Sequence, residues 1–155
     1  MKKFFISVAL LAGIFSYSVQ AADGGKVSPR IQQALQKEFA GAKSVSWEGL
    51  ANNSIYHATF YYNHELLNAF FDDDGNLVAT GRDITKDVLP LLVTKAVSER
   101  YHGYSVRDIV EVSTEGETSY LLTLENQKSK LIVRAYDSGT INVFKKVKKN
   151  PAENL

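Results

Sequence analysis

One order of signals occurs twice along this chain, and a duplicated pattern constrains a fold more tightly than any composition does. The first copy opens at Ser28-Pro29 and continues through Ile31, Ala34, Leu35 and Phe39. This is an amphipathic helical period with an N-cap serine and an N1 proline, stopping before Gly41. The second copy starts near Pro90, places Leu92, Val93, Ala96, Val97 and Tyr101 on one side, and stops before Gly103. Phe39-Ala40-Gly41 therefore corresponds to Tyr101-His102-Gly103.

Strand signals follow each helix. In the first copy Val45 and Trp47 share parity, Tyr56, Ala58, Phe60 and Tyr62 alternate, and Leu67, Ala69 and Phe71 lead to the turn Asp73-Asp74-Gly75-Asn76 and on to Leu77-Val78. The second copy answers with Tyr120, Leu122 and Leu124, then Leu131, Val133 and Ala135, then Asp137-Ser138-Gly139-Thr140 and Ile141. It is longer by two residues, an insertion that falls near the polar Ser113-Thr114-Glu115-Gly116-Glu117 loop, where extra length is tolerated. The link from Thr80 to Leu89 reads as a short polar connection, and the lysine-rich end from Lys145 to Leu155 as a solvated, frayed tail.

This pattern predicts an α+β domain of two tandem helix-plus-four-strand repeats, covering about 28–80 and 87–145. They join into one curved antiparallel sheet with both helices on one face, because a single half would leave too much sheet edge and too small a core. The expected core comprises Ala34, Leu35, Phe39, Trp47, Tyr56, Phe60, Phe71, Val97, Tyr101, Leu122 and Val133.

Residues 1–21 have the three parts of a secretory leader: Lys2-Lys3, an apolar stretch from Phe4 to Val19, and Val19-Gln20-Ala21 as a cleavage site. The apolar stretch is interrupted by Gly13, Ser16 and Ser18 and is short for a span, which needs about 20 apolar residues. The expectation is a periplasmic or secreted protein whose domain occupies 22–155, with no membrane span in the mature chain. Gly24-Gly25 reads as a flexible start. Losing Lys2 and Lys3 takes the formal charge from +1 to −1, so no global field draws the protein to nucleic acid. The chain has no cysteine, which excludes disulfides, thiolate nucleophiles and zinc-thiolate sites and leaves stability to packing.

The motifs together resemble those of the secreted bacterial PepSY-like, beta-lactamase-inhibitor-protein-like family. In the first copy the resemblance is carried by Phe39-Ala40-Gly41, Trp47-Glu48, Tyr56-x-Ala58-x-Phe60 and Phe71-Asp72-x-Asp74-Gly75. In the second it is carried by Leu89-Pro90, Tyr101-x-Gly103-Tyr104, Tyr120-x-Leu122 and Asp137-x-Gly139. It covers about residues 28 to 145 and implies tandem repeats, a curved sheet with helices on one face, export, and no established enzymatic activity. The chain departs from its own first copy where Arg134 and Tyr136 stand in the places of Phe70 and Asp72.

Individual chemistries find little support. His57, His64 and His102 lack metal-ligand spacing. Asp72-x-Asp74-x-Asn76 with Asp83 has part of a calcium-loop pattern, but the glycine position is Leu77 and Gly75 falls too early, and hairpin-turn chemistry explains the same residues. No nucleophile elbow or phosphate-binding glycine loop occurs. The reading is a non-enzymatic protein with no cofactor and no metal site.

Aromatics are the unusual feature, with eight Tyr, eight Phe and one Trp. If Tyr56, Ala58 and Phe60 face the helices, the opposite sheet face carries His57, Thr59, Tyr61, Phe70, Arg134 and Tyr136. Aromatics mixed with Arg and His form the composition of protein-binding surfaces. These six residues are the candidate site, with Tyr61, Phe70 and Tyr136 as anchors and Arg134 as the polar contact for an unidentified protein or peptide. The alternative is a small-ligand or calcium-binding periplasmic protein.

Overall fold

The computed structural model describes residues 27–50 and 54–148. The expected leader, Gly24-Gly25, and the tail from Lys149 onward lie outside the described residues. Within them, α1 (Pro29–Glu38) precedes β1 (Lys43–Leu50), β2 (Ile55–Tyr62), β3 (Glu65–Asp72) and β4 (Leu77–Asp83). A 3-10 turn at Lys86–Val88 leads into α2 (Leu91–Arg100), followed by β5 (Ser105–Thr114), β6 (Glu117–Glu125), β7 (Ser129–Tyr136) and β8 (Ile141–Lys148). The eight strands form one antiparallel sheet in sequence order.

Local chemistry explains the elements. Ser28 Oγ accepts a hydrogen bond from the Ile31 amide, and Pro29 occupies the first helical turn, which satisfies one orphan donor of α1 and costs none. Asn63 and His64 both adopt left-handed backbone, with φ of 49° and 69°, as the two-residue β2–β3 hairpin requires to match the strand twist.

Strand register puts both helices on the same face. Leu67, Ala69 and Phe71 pack with Ile31 and Leu35 of α1. Leu67 pairs with Arg82, Arg82 with Glu111, and Ile109, two residues from Glu111, packs with Val93 and Val97 of α2. Phe60, Phe71, Leu35, Leu122 and Val133 are fully buried and Val97 is buried. Ala34, Phe39, Trp47, Tyr56 and Tyr101 are partly buried against the same clusters.

A further core lies on the other face. Ile55, Phe70, Ala79, Val110, Val112 and Leu121 form one buried cluster with Leu50 and Val78 packed against it. Register places Phe70 opposite Ala79, Gly81 opposite Val112 and Val110 opposite Leu121, so these side chains leave the sheet on the side away from both helices. No described helix packs there. Register shifts at Lys43/Ser46, Phe70/Phe71, Val106/Asp108 and Ile132/Val133 mark bulges, which increase twist and bend a sheet.

Three sequence readings need correction. The supposed link from Thr80 begins as strand, since β4 continues to Asp83. The supposed frayed tail is strand as far as Lys148, because main-chain pairing with β7 does not require apolar side chains. Leu92 is 54% exposed while Val93 and Val97 are buried. Pro90 is the N-cap and α2 starts at Leu91, which turns the buried stripe one residue away from Leu92.

Candidate functional site

Four of the six candidate residues come together on β2 and β3. His57 is 8% exposed, and its ring stacks on Phe70 with centroids 4.6 Å apart. Its Nε2–H donates to Asn68 Oδ1 at 2.8 Å. The Thr59 hydroxyl donates to the same oxygen at 3.1 Å and lies 3.3 Å from the ring nitrogen. On the other side, Nδ1 faces Glu48 Oε2 at 3.7 Å. Thr59, His57 and Glu48 thus line up as a nucleophile, base and acid would, but the Thr59 proton is committed to Asn68. The row is a clamp that holds two strands in register.

Phe70 is 1% exposed, so it is not the exposed anchor expected of it. It follows the expected parity onto the helix-free face, but there it packs in a buried cluster with Ile55, Ala79, Val110, Val112 and Leu121. Tyr61 is 51% exposed and its cross-strand partner Leu66 44% exposed, at the rim of the same face.

Arg134 and Tyr136 lie at the other end of that face, on β7. Five strand spacings separate β2 from β7, about 24 Å along the sheet, with Ala79, Val112 and Leu121 between. The six residues therefore form two groups rather than one site. Tyr136 is half-buried and pairs with buried Ser119. Arg134 is half-buried opposite Leu121 and Asn142, and its Nε and Nη2 are buried with no hydrogen-bond partner among the described residues. Leaving a buried donor unsatisfied costs about 1–3 kcal/mol, and more for a charged group.

The helix side holds a contrasting arginine. Between the territories of α1 and α2 lies a cleft of about 210 Å³ lined by Phe39, Glu65, Leu67, Arg82, Glu111 and Ser113 among others. Here Arg82 donates to Glu111 at 2.8 Å and to Glu65 at 3.2 Å. Glu111 and Glu65 hold the guanidinium more firmly charged than usual.

The partial calcium pattern is used for structure. Asp72 accepts from the Asn76 amide at 2.7 Å and from its side chain at 2.9 Å, and Asp74 pairs with Arg30 at 3.2 Å. Among the described residues no three His, Asp or Glu side chains converge on a common point, and no helix there is long and apolar enough to cross a membrane.

Parity puts Asn68 on the helix-free face, as found, without making it a site residue, and it passed over Glu48 and Leu66. The signal for Asn68 was a polar side chain mid-strand, level with Thr59 and diagonal to His57. Leu66 carried none.

No protein-family model matches the chain, and no curated protein matches it. Several solved structures share its fold. A DUF2874-family protein from Bacteroides ovatus superposes with a TM-score of 0.70 at 20% identity, covering 81% of this chain and 89% of the other. A BLIP-like protein from Bacteroides fragilis gives 0.67 at 24% identity over 88% and 92%. A Bacteroides eggerthii protein provisionally assigned to the periplasm gives 0.68 at 20% identity over 80% and 90%. The class these define is an α+β, BLIP-like fold, with an open eight-stranded antiparallel sheet and two helices.

Proposed function

We propose that this chain is an exported, non-enzymatic binding module that takes up a protein or peptide on the helix-free face of its sheet. The observation that carries this reading is the pair Tyr61 and Leu66, side by side on that face and about half exposed. An exposed aromatic and an exposed aliphatic set beside a rigid polar row make the kind of rim that partners contact, and they contribute little to the core. The BLIP-like character of one structural neighbour supports a binding role without naming a target.

Export rests on the leader at residues 1–21, cleaved after Ala21, and is supported by the periplasmic assignment of a neighbour. The motifs quoted above favour the PepSY-like, beta-lactamase-inhibitor-like group of secreted proteins. We also read the domain, 22–155, as two copies of one unit. In support, both halves have a bulge in the first strand and another in the last hairpin. The turn glycines Gly75 and Gly139 each approach the helix of their own half, at Ala34 and Leu92.

Changing Tyr61 and Tyr136 together to Ser is expected to abolish capture of the partner recovered from periplasmic extract while the melting temperature stays within a degree or two. Unchanged capture would place the binding surface elsewhere. Intact-mass analysis from the native host is expected to give a chain beginning at Ala22, and a mass that includes Lys2 and Lys3 would refute export with cleavage.

A further inference from the structure

Among the described residues, the helix-free face carries a cationic group with no anion to meet it. We propose that an acidic, extended segment of a partner protein docks there, with one Asp or Glu carboxylate paired side-on to Arg134 and Lys145 alongside. This rests on the binding role proposed for the same face and specifies the chemistry of its partner.

The two unpartnered atoms of Arg134, Nε and Nη2, form one edge of the guanidinium. That edge presents two parallel N–H bonds, the fork that matches both oxygens of a carboxylate. A carboxylate on its own face is committed elsewhere: Glu125 accepts from Arg107 at 2.8 Å, while Glu111 and Asp137 lie on the helix side of the sheet, toward Arg82 and Tyr120. Arg82 shows how the fold treats a structural arginine: it supplies two acids. Arg134 receives none.

Position adds to the charge argument. Arg134 pairs with Asn142, and Ile132, on the same face two residues away, pairs with Lys145. Lys145 is thus a same-face neighbour of Arg134, one bulge along β8 from Asn142. It is exposed and takes part in no ion pair among the described residues. An Arg and a Lys without counter-charge, on the face that already offers Tyr61 and Tyr136, fit an acidic peptide by charge complementarity. Arg134 is also the sixth residue of its strand, as the buried Phe70 is of β3, so a guanidinium stands where the first half has an apolar ring. The residue as a whole is only half-buried, and its fork, itself buried, must turn about the terminal torsions to meet the carboxylate.

The test is selection of a random decapeptide library on the wild-type protein and on Arg134→Gln, Arg134→Lys and Tyr61→Ser variants. The wild type is expected to enrich peptides with Asp or Glu at one fixed position. Replacing that acid by its amide in the synthetic peptide should weaken binding at least tenfold, and Arg134→Gln should weaken the acidic peptide equally while leaving the amide peptide unaffected. Arg134→Lys keeps charge and stem but lacks the fork, and should not restore the loss. Arg134→Met should melt at the wild-type temperature or above, since no partner is lost. Enrichment without an acid, no enrichment at all, or acid preference that survives in Arg134→Gln would overturn the proposal, as would Arg134→Met melting several degrees lower. Acid-free peptides lost in Tyr61→Ser would overturn it while sparing the binding face. Peptides indifferent to both Arg134→Gln and Tyr61→Ser would overturn both. Self-association abolished by Arg134→Gln, with no peptide enriched, would assign the group to a second copy of this chain and refute the acidic partner.

Discussion

The rings of His57 and Phe70 are stacked, with 6° between their planes, on residues that face each other across β2 and β3. One ring is polar and hydrogen-bonded, the other is buried in the core of the helix-free face. The pair therefore joins the clamp of His57, Asn68 and Thr59 to that core.

Phe70→Ala is expected to destabilise the protein by about 3–5 kcal/mol, the usual cost of emptying a fully buried Phe site. Urea unfolding followed by circular dichroism measures it. A loss below about 1 kcal/mol would mean that the helix-free face is not packed at its centre, since surface changes usually stay within about 0.5 kcal/mol.

Asn68→Leu removes the oxygen that accepts from both Thr59 and His57. Two partly buried donors lose their acceptor, and a cost of about 1–3 kcal/mol is expected. Thr59→Val in the Asn68→Leu background should recover part of it, because a donor left without a partner is then removed. Strict additivity of the two changes would show that the groups do not share the network.

Tyr120 gives a base-dependent stability. Burial, helped by the hydrogen bond to Asp137, pushes its hydroxyl up to about 12, against about 10 in an unfolded chain. Between those values the unfolded state releases the proton and the native state keeps it, so the native state binds more protons and stability falls as pH rises. The contribution is whole below pH about 10 and is lost as pH passes through about 12, with up to about 2–3 kcal/mol at stake. Tyr120→Phe should flatten that part of the profile in thermal melts between pH 9 and 12. An unchanged slope would contradict the assignment.

Gly139 and Gly116 both have left-handed backbone, with φ of 81° and 83°. A Cβ at Gly139 would meet the Leu92 carbonyl oxygen at 3.0 Å, whereas nothing lies within 4 Å at Gly116. Both Gly→Ala changes carry the backbone penalty of about 1–2 kcal/mol, and Gly139→Ala should cost more because the β7–β8 turn must shift against α2. Equal melting temperatures would show that the turn yields freely.

Much of this architecture was legible in single residues. Ser28-Pro29 marks the start of α1 through a hydrogen bond three residues long, and Tyr56, Ala58 and Phe60 announce their shared face through the period of a pleated strand. Such signals are local: the atoms that satisfy them lie within a few residues, so the chain carries them openly. The placement of His57, Thr59, Tyr61, Phe70 and Arg134 on the side away from α1 and α2 followed from the same period.

Burial on that side was not legible, because it depends on contacts between strands distant in sequence. Phe70, Val112 and Leu121 come from three strands, and they share a core only once those strands stand in one sheet. Parity names a face but says nothing of what packs on it, so Phe70 read as an exposed anchor and proved to be core. The separation of Tyr61 from Arg134 is non-local in the same way, set by the number of strands between β2 and β7. So is the unpartnered fork of Arg134: a guanidinium is engaged or free according to which carboxylates the folded sheet brings to its face, and there Glu125 meets Arg107 while Glu111 and Asp137 fall on the helix side.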